Sequence, residues 1–266
     1  MLIDTHCHLT APALASQVEA VLARAQAAGV TRLITVAQSP ADARAALALM
    51  DSRPQVHLAA GIHPHLAAQV TREDLDALSA LHHGRWPDSR PPGRLVAVGE
   101  TGLDFHYQFA TPQQQEAVFR FQLDLAGALG RAVVIHARQS EQRVCDILSD
   151  YPALRGRVVF HCFSGGPELA QRVLEMGFFL SFTGVVTFKN ADDIRGAARM
   201  APADRILVET DAPYLAPEPV RKLRPCEPAF VRHTAGFLAQ LRGVSLETLA
   251  AATSANARRL FGLPEE

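Results

Sequence analysis

The chain has 266 residues, 48% of them hydrophobic, and its 26 Lys+Arg against 27 Asp+Glu leave a formal net charge of −1, which suits a globular core and excludes holding an anionic partner by overall charge. No apolar run approaches a membrane span, and no charged leader precedes the first strand, so the expectation is a cytoplasmic protein with no membrane partner. Cys7, Cys145, Cys162 and Cys226 lack Cys-x-x-Cys spacing, which excludes a structural zinc ribbon and points to reduced thiols.

Leu2 and Ile3 read as a buried strand running into Asp4-Thr5-His6-Cys7-His8, and because strand side chains alternate, His6 and His8 share a face. Leu14, Val18, Val21, Leu22 and Ala25 fall at helical spacing, Gly29 ends that helix, and 31–36 is a second strand. An alanine-rich helix over 41–50 leads to strand three, 56–60, which runs into Gly61-Ile62-His63-Pro64-His65. Thr71 caps a helix near 75–81, and 82–93, with Trp86, Pro87, Pro91 and Pro92, is a surface excursion before strand four, 94–98. That strand ends in Gly99-Glu100-Thr101-Gly102-Leu103-Asp104. Thr111, Pro112 and Gln114 match a helix start, and Gly130 closes the helix. Strand five, 132–135, ends at His136; a helix over 140–151 leads to strand six, 158–160, which ends at His161. Gly165-Gly166-Pro167 opens a helix that Gly177 stops, strand seven is 178–182, and a helix over 191–200 precedes strand eight, 205–208, which ends in Glu209-Thr210-Asp211. Segments 228–240 and 246–261 are helical and close the outer ring.

Eight apolar strands alternating with helices predict a single α/β domain over 1–266, a (β/α)8 TIM barrel with C-terminal helices. A doubly wound sheet is the runner-up, but it wants a glycine-rich turn where His6-Cys7-His8 stands. A barrel builds its site at the C-terminal strand ends, and His6, His8, His63, Glu100, His136, His161 and Asp211 all lie there. One such histidine is ordinarily satisfied by a carbonyl; the set together predicts metal binding. His57, His82, His83 and His233 read as structural. The candidates exceed one tetrahedral shell, so two divalent ions about 3.5–4 Å apart are the economical reading, with Glu100 bridging them. Zinc, manganese, magnesium and nickel all suit a mixed imidazole and carboxylate set. Asp211 is placed to take the proton of an activated water, and His63 to steady a phosphoryl oxygen or protonate a leaving group. Asp4, Thr5, Glu209 and Thr210 either orient imidazoles or cap backbone. Lys189, Arg221, Lys222 and Arg224 follow strands seven and eight, where barrels bind phosphate, although a solvated basic turn explains them equally well.

The blocks Asp4-Thr5-His6-Cys7-His8-Leu9, Gly61-Ile62-His63-Pro64-His65, Gly99-Glu100-Thr101-Gly102-Leu103-Asp104, His161-Cys162-Phe163-Ser164-Gly165 and Glu209-Thr210-Asp211-Ala212-Pro213-Tyr214-Leu215 resemble, in order, the motifs of the TatD-type metal-dependent hydrolases, a deoxyribonuclease-like branch of the amidohydrolase superfamily. The resemblance implies one ion among His6, His8, Glu100 and Asp211, a second among Glu100, His136 and His161, and His63 near the substrate. It also implies cleavage of phosphodiester bonds, often as an exonuclease on single-stranded DNA. Cys226 departs from the pattern, standing where many members carry Asn, in a loop that also holds Arg221, Lys222 and Arg224 as expected substrate contacts. Three functions follow: a 3'-5' exonuclease-like deoxyribonuclease on single-stranded ends, a two-metal amidohydrolase on a small-molecule or aminoacyl C–N or C–O bond, or a non-catalytic metal or nucleic-acid binder. Retention of Glu100 and Asp211 argues against the third.

Overall fold

The structure, a computed structural model, describes residues 1–85 and 93–265. Trp86, Pro87, Pro91 and Pro92, in the expected surface excursion, lie outside the described residues. Strands β1 (Leu2–Cys7), β2 (Val30–Ala37), β3 (Val56–Ala60), β4 (Leu95–Asp104), β5 (Ala132–Arg138), β6 (Val158–Phe160), β7 (Phe179–Phe182) and β8 (Ile206–Val208) form one sheet in sequence order. Each neighbouring pair from β1·β2 to β7·β8 is parallel. The ring closes where Asp211 N–H donates to His6 O (2.9 Å) and His8 N–H donates to Ala212 O (2.7 Å). Closure therefore lays the turn after β8 against the end of β1, and the expected barrel is observed.

Around it run α1 (Pro12–Ala15), α2 (Val18–Ala27), α3 (Pro40–Met50), α4 (Arg72–His82), α5 (Pro112–Leu129), α6 (Glu141–Leu148), α7 (Pro167–Glu175), α8 (Asp192–Met200), α9 (Val231–Leu241) and α10 (Leu246–Phe261). Among the described residues no helix is long and apolar enough to cross a membrane. Thr71 and Thr111 both complete capping boxes, with Asp74 and Gln114, because a hydroxyl at the N-cap and an acceptor three residues on satisfy two orphan N–H groups at once. The single helix expected over Leu14 to Ala25 is instead two: Gln17, with φ −135°, breaks it, and each piece buries its own apolar residues. The helix expected to reach Tyr151 stops at Leu148 and is followed by a 3-10 turn over Pro152–Leu154.

Two apolar shells follow from strand alternation. One lies between the strands and the helices. The other gathers Ile3, Ile34, Val36, Ala59, Ala97, Val134, Val159, Phe179 and Leu207 from all eight strands inside the barrel, and Ala257, Leu260, Phe261 and Leu263 of α10 and its tail close it at the bottom. Two β-bulges decide what stands above that plug. Between Asp4 and Cys7, β1 spends three residue steps while β2 spends two, Leu33 to Thr35. Between Val98 and Thr101, β4 likewise spends three while β5 spends two, Val133 to Ile135. An extra residue reverses the alternation. Ile3 faces the interior, yet Cys7 belongs to the outer shell, so His6 and His8 point inward. In β4, Ala97 faces in and Leu103 out, which turns Glu100 and Asp104 into the barrel. Glu100 thus sits within a strand that continues to Asp104, where the sequence suggested a strand end.

Candidate metal centre

His6 and His8 come from the end of β1, and Asp211 from the turn after β8, where its backbone is left-handed (φ 56°), a conformation aspartate tolerates better than most residues. His6 Nε2 lies 3.3 Å from His8 Nε2, 3.5 Å from Glu100 Oε2 and 3.7 Å from Asp211 Oδ1; His8 Nε2 lies 3.3 Å from Asp211 Oδ1. His8 Nδ1 stands 3.0 Å from Val36 O, which only accepts, so the neutral ring holds its proton there and turns the Nε2 lone pair inward. Ligands held about 2.0–2.2 Å from a tetrahedral ion stand about 3.3–3.6 Å apart. The set therefore has the spacing of a cation's donors.

Glu100 Oε1 faces a second group: His136 Nδ1 at 2.9 Å, His161 Nε2 at 3.1 Å and His63 Nε2 at 3.5 Å. The outer nitrogens are also occupied, His136 Nε2 by Asp104 Oδ2 (2.9 Å) and His161 Nδ1 by Glu209 Oε1 (3.0 Å). A neutral imidazole has one N–H, and a carboxylate only accepts. If each ring donates outward, its inner lone pair meets the lone pairs of Glu100, and a cation is what reconciles them. Asp104 and Glu209 are themselves buried and fully bonded. Asp104 Oδ2 also accepts from His65 Nε2 (2.8 Å), while Oδ1 accepts the N–H groups of His106 (2.9 Å) and Tyr107 (3.0 Å). Glu209 accepts from Ser181 Oγ and from Cys162 N–H, both at 2.6 Å.

The electrostatics show the same demand for positive charge beside Glu100, met here by ring protons. Burial alone pushes Glu100 up, but the charges of His161 and His63 and the hydrogen bonds of His136 and His161 hold it well below the usual carboxylate range. Burial lowers His136 and His161, yet Asp104 and Glu100 raise the first, and Glu100 and Glu209 raise the second strongly. His63 is pushed down to about 4, chiefly by burial. Its Nδ1 accepts His65 N–H (3.1 Å), so the neutral ring carries its proton on Nε2, aimed at the centre.

All seven candidates from the strand ends converge; donor atoms of His6, His8 and Glu100 lie within 4.8 Å of one another, as do those of His6, His161 and Asp211, and those of Glu100, His136 and His161. Of the residues given two possible roles, Glu209 orients an imidazole. Asp4 instead pins β1 to β8, accepting Thr210 N–H (2.9 Å) and Thr210 Oγ1–H (2.6 Å), and Thr5 Oγ1 donates to Val208 O (3.1 Å). Arg221, Lys222, Arg224 and Lys189 are exposed on the loops after β7 and β8; the Arg221 guanidinium lies 3.9 Å over the Phe188 ring and 3.7 Å from Glu218. Cys226 is fully buried in the outer shell, its thiol donating weakly to Glu227 O at 4.0 Å. His57 and His82 are buried away from the centre, His82 Nε2 donating to Ala60 O at 2.9 Å. Asp104 and His65 had no role assigned from sequence, although both lie inside motif blocks already carrying a candidate site residue.

The description TatD related DNase belongs to a family whose model matches residues 3–262. The chain belongs to this TatD family. Similar chains include the uncharacterized metal-dependent hydrolase YabD of Bacillus subtilis (strain 168), 36% identical over 98% of this chain and 99% of that one. The 3'-5' ssDNA/RNA exonuclease TatD of Enterobacter lignolyticus (strain SCF1) is also 36% identical, over 98% and 99%. The crystal structure of YJJV, a TatD homolog from Escherichia coli k12, superposes with a TM-score of 0.91 at 30% identity, covering 99% of this chain and 98% of that one. The chain is therefore a metal-dependent hydrolase by family, built on a TIM barrel, with His, Glu and Asp clusters able to hold metal.

Proposed function

We propose that this protein is a nuclease that hydrolyses phosphodiester bonds at the 3' ends of single-stranded DNA, with two divalent cations held by His6, His8, Glu100 and Asp211 and by Glu100, His136 and His161. The observation that carries the reading is the sharing of Glu100: its two carboxylate oxygens face two different donor sets. When bound, the cations would lower the pKa of a water and offset charge on the phosphoryl oxygens. Asp211, the most exposed carboxylate of the set with 15% of its side chain accessible, accepts the proton of the attacking water. His63 keeps its Nε2 proton at neutral pH and donates a hydrogen bond from it to a non-bridging oxygen. Glu209 and Asp104 hold the rings of His161 and His136 in the one tautomer that leaves a lone pair inward.

Two features favour a flexible single strand: the centre lies at a concave barrel mouth, and the net charge of −1 supplies no field to hold a duplex. Arg221, Lys222 and Arg224, with Lys189, supply local positive charge for a few backbone phosphates. The test is product analysis on 5'-labelled linear single strands and on closed circular ones, with zinc, manganese, magnesium and nickel in turn. Stepwise shortening from the 3' end, with circles intact, is the expected result. Cutting of circles at the linear rate makes the protein an internal nuclease, and no cleavage with any ion removes the nuclease reading.

A further inference from the structure

Of the seven large apolar side chains exposed among the described residues, four (Tyr107, Phe109, Tyr214 and Leu223) lie on the loops that follow β4 and β8, at the mouth of the barrel. Tyr107 and Phe109 form a pair: 40% and 58% exposed, their rings stand 5.5 Å apart and 26° from parallel. The Arg138 guanidinium lies 4.9 Å from the centre of the Tyr107 ring. Burial accounts for little of Phe109, more than half of which is open to solvent.

Their backbone is nonetheless held firmly. Phe105 N–H donates to Arg138 O (2.9 Å), and the N–H groups of His106 and Tyr107 both donate to Asp104 Oδ1. The other oxygen of that carboxylate bonds His136, a candidate ligand, and His65, whose ring meets Tyr107 nearly edge-on (5.3 Å, 83°) and Phe109 at a tilt (4.8 Å, 57°). One buried carboxylate thus sets both the inner edge of the candidate centre and the position of an open aromatic pair beside it. Stacked π-faces next to a cation are what a nucleobase recognises: every base has a flat face to lay on a ring, and an arginine alongside serves the ring and the strand's charge together.

We propose that Tyr107 and Phe109, with Arg138, form a stacking site for the base of the nucleotide whose phosphate lies at the metal centre. The proposal rests on the nuclease reading, and it makes base recognition a matter of stacking, tolerant of which base is present. Its test is calorimetric binding of deoxyguanosine 5'-monophosphate and of 2-deoxyribose 5-phosphate, the same phosphate without a base, to the manganese-loaded protein. The parent binds the nucleotide roughly 5- to 150-fold more tightly than the sugar phosphate, the worth of one stacked base. The Y107A/F109A double variant loses that preference while keeping its bound metal and its affinity for the sugar phosphate, and the Y107W single variant keeps the preference. A preference that survives in the double variant, or equal weakening of both compounds together with loss of metal, overturns the proposal, the latter because the rings would then only shield the His65 and Asp104 contacts. Oligonucleotide cleavage by the same preparation separates the two claims. A parent that trims strands but shows no base preference loses the stacking site alone; one that cuts nothing yet prefers the nucleotide loses the nuclease reading and keeps the site.

Discussion

At the scale of single residues, the candidate centre depends as much on the carboxylates behind the imidazoles as on the imidazoles. Asp104 and Glu209 are buried acceptors that fix ring orientation and tautomer for His136 and His161. Asp104→Asn puts an amide, with its own N–H donors, where His136 and His65 now donate. Cation affinity should fall roughly 10- to 100-fold in a calorimetric titration of the metal-free protein, with the far-UV spectrum unchanged. Equal affinity in variant and parent would remove Asp104 from the centre. Asp211→Asn keeps an oxygen toward the cation and loses the base, so turnover should drop roughly 10²- to 10⁴-fold while most metal remains, as metal analysis would show. Loss of cooperative folding in the metal-free variant would instead mark Asp211 as structural.

At the scale of elements, β4 is the unusual strand, since its bulge and its glycines let it carry two inward carboxylates. Gly102 pairs with His136 of β5 and has φ +141°; a Cβ there would lie 2.0 Å from His136 O. Gly102→Ala should cost roughly 2–5 kcal/mol in denaturant unfolding, from backbone strain and a clash with rigid backbone, and should lower metal stoichiometry by displacing His136. Stability and metal content equal to the parent's would show that β4 and β5 can part without consequence. The cap at Thr71 and the capping box at Thr111 were legible in advance because they are chemistry within one turn of chain. The break between α1 and α2 was not, since the apolar spacing of Leu14, Val18 and Val21 continues across it.

At the scale of the whole molecule, the barrel interior carries a cost that pH reveals. His57 is buried, neither ring nitrogen has a hydrogen-bond partner among the described residues, and burial, with Arg32 and Arg94 nearby, pushes it down to about 4. Above pH 6.5 the ring is neutral in both folded and unfolded chains; between pH 6.5 and about 4 the unfolded chain takes up a proton that the folded one refuses, so stability falls as pH falls. His57→Leu should therefore be at least as stable as the parent at pH 7.5 and lose about 2 kcal/mol less on going to pH 5, measured by urea unfolding of the metal-free proteins. Parallel losses would mean that His57 titrates normally in the fold. The sequence by itself determined the alternation of eight apolar strands with helices, the order of the donors along it, and the mouth at which they gather, because these follow from local periodicity and from the rule that barrel sites lie at C-terminal strand ends. Only the tertiary structure decided that His6, His8 and Glu100 face inward, that Cys226 is buried, and that Asp104 serves His65, His136 and the Tyr107 loop together. The physical reason is that alternation sets which residues share a face but not which face it is. That phase is reset by bulges, and a bulge exists only in the register of one strand against its neighbour.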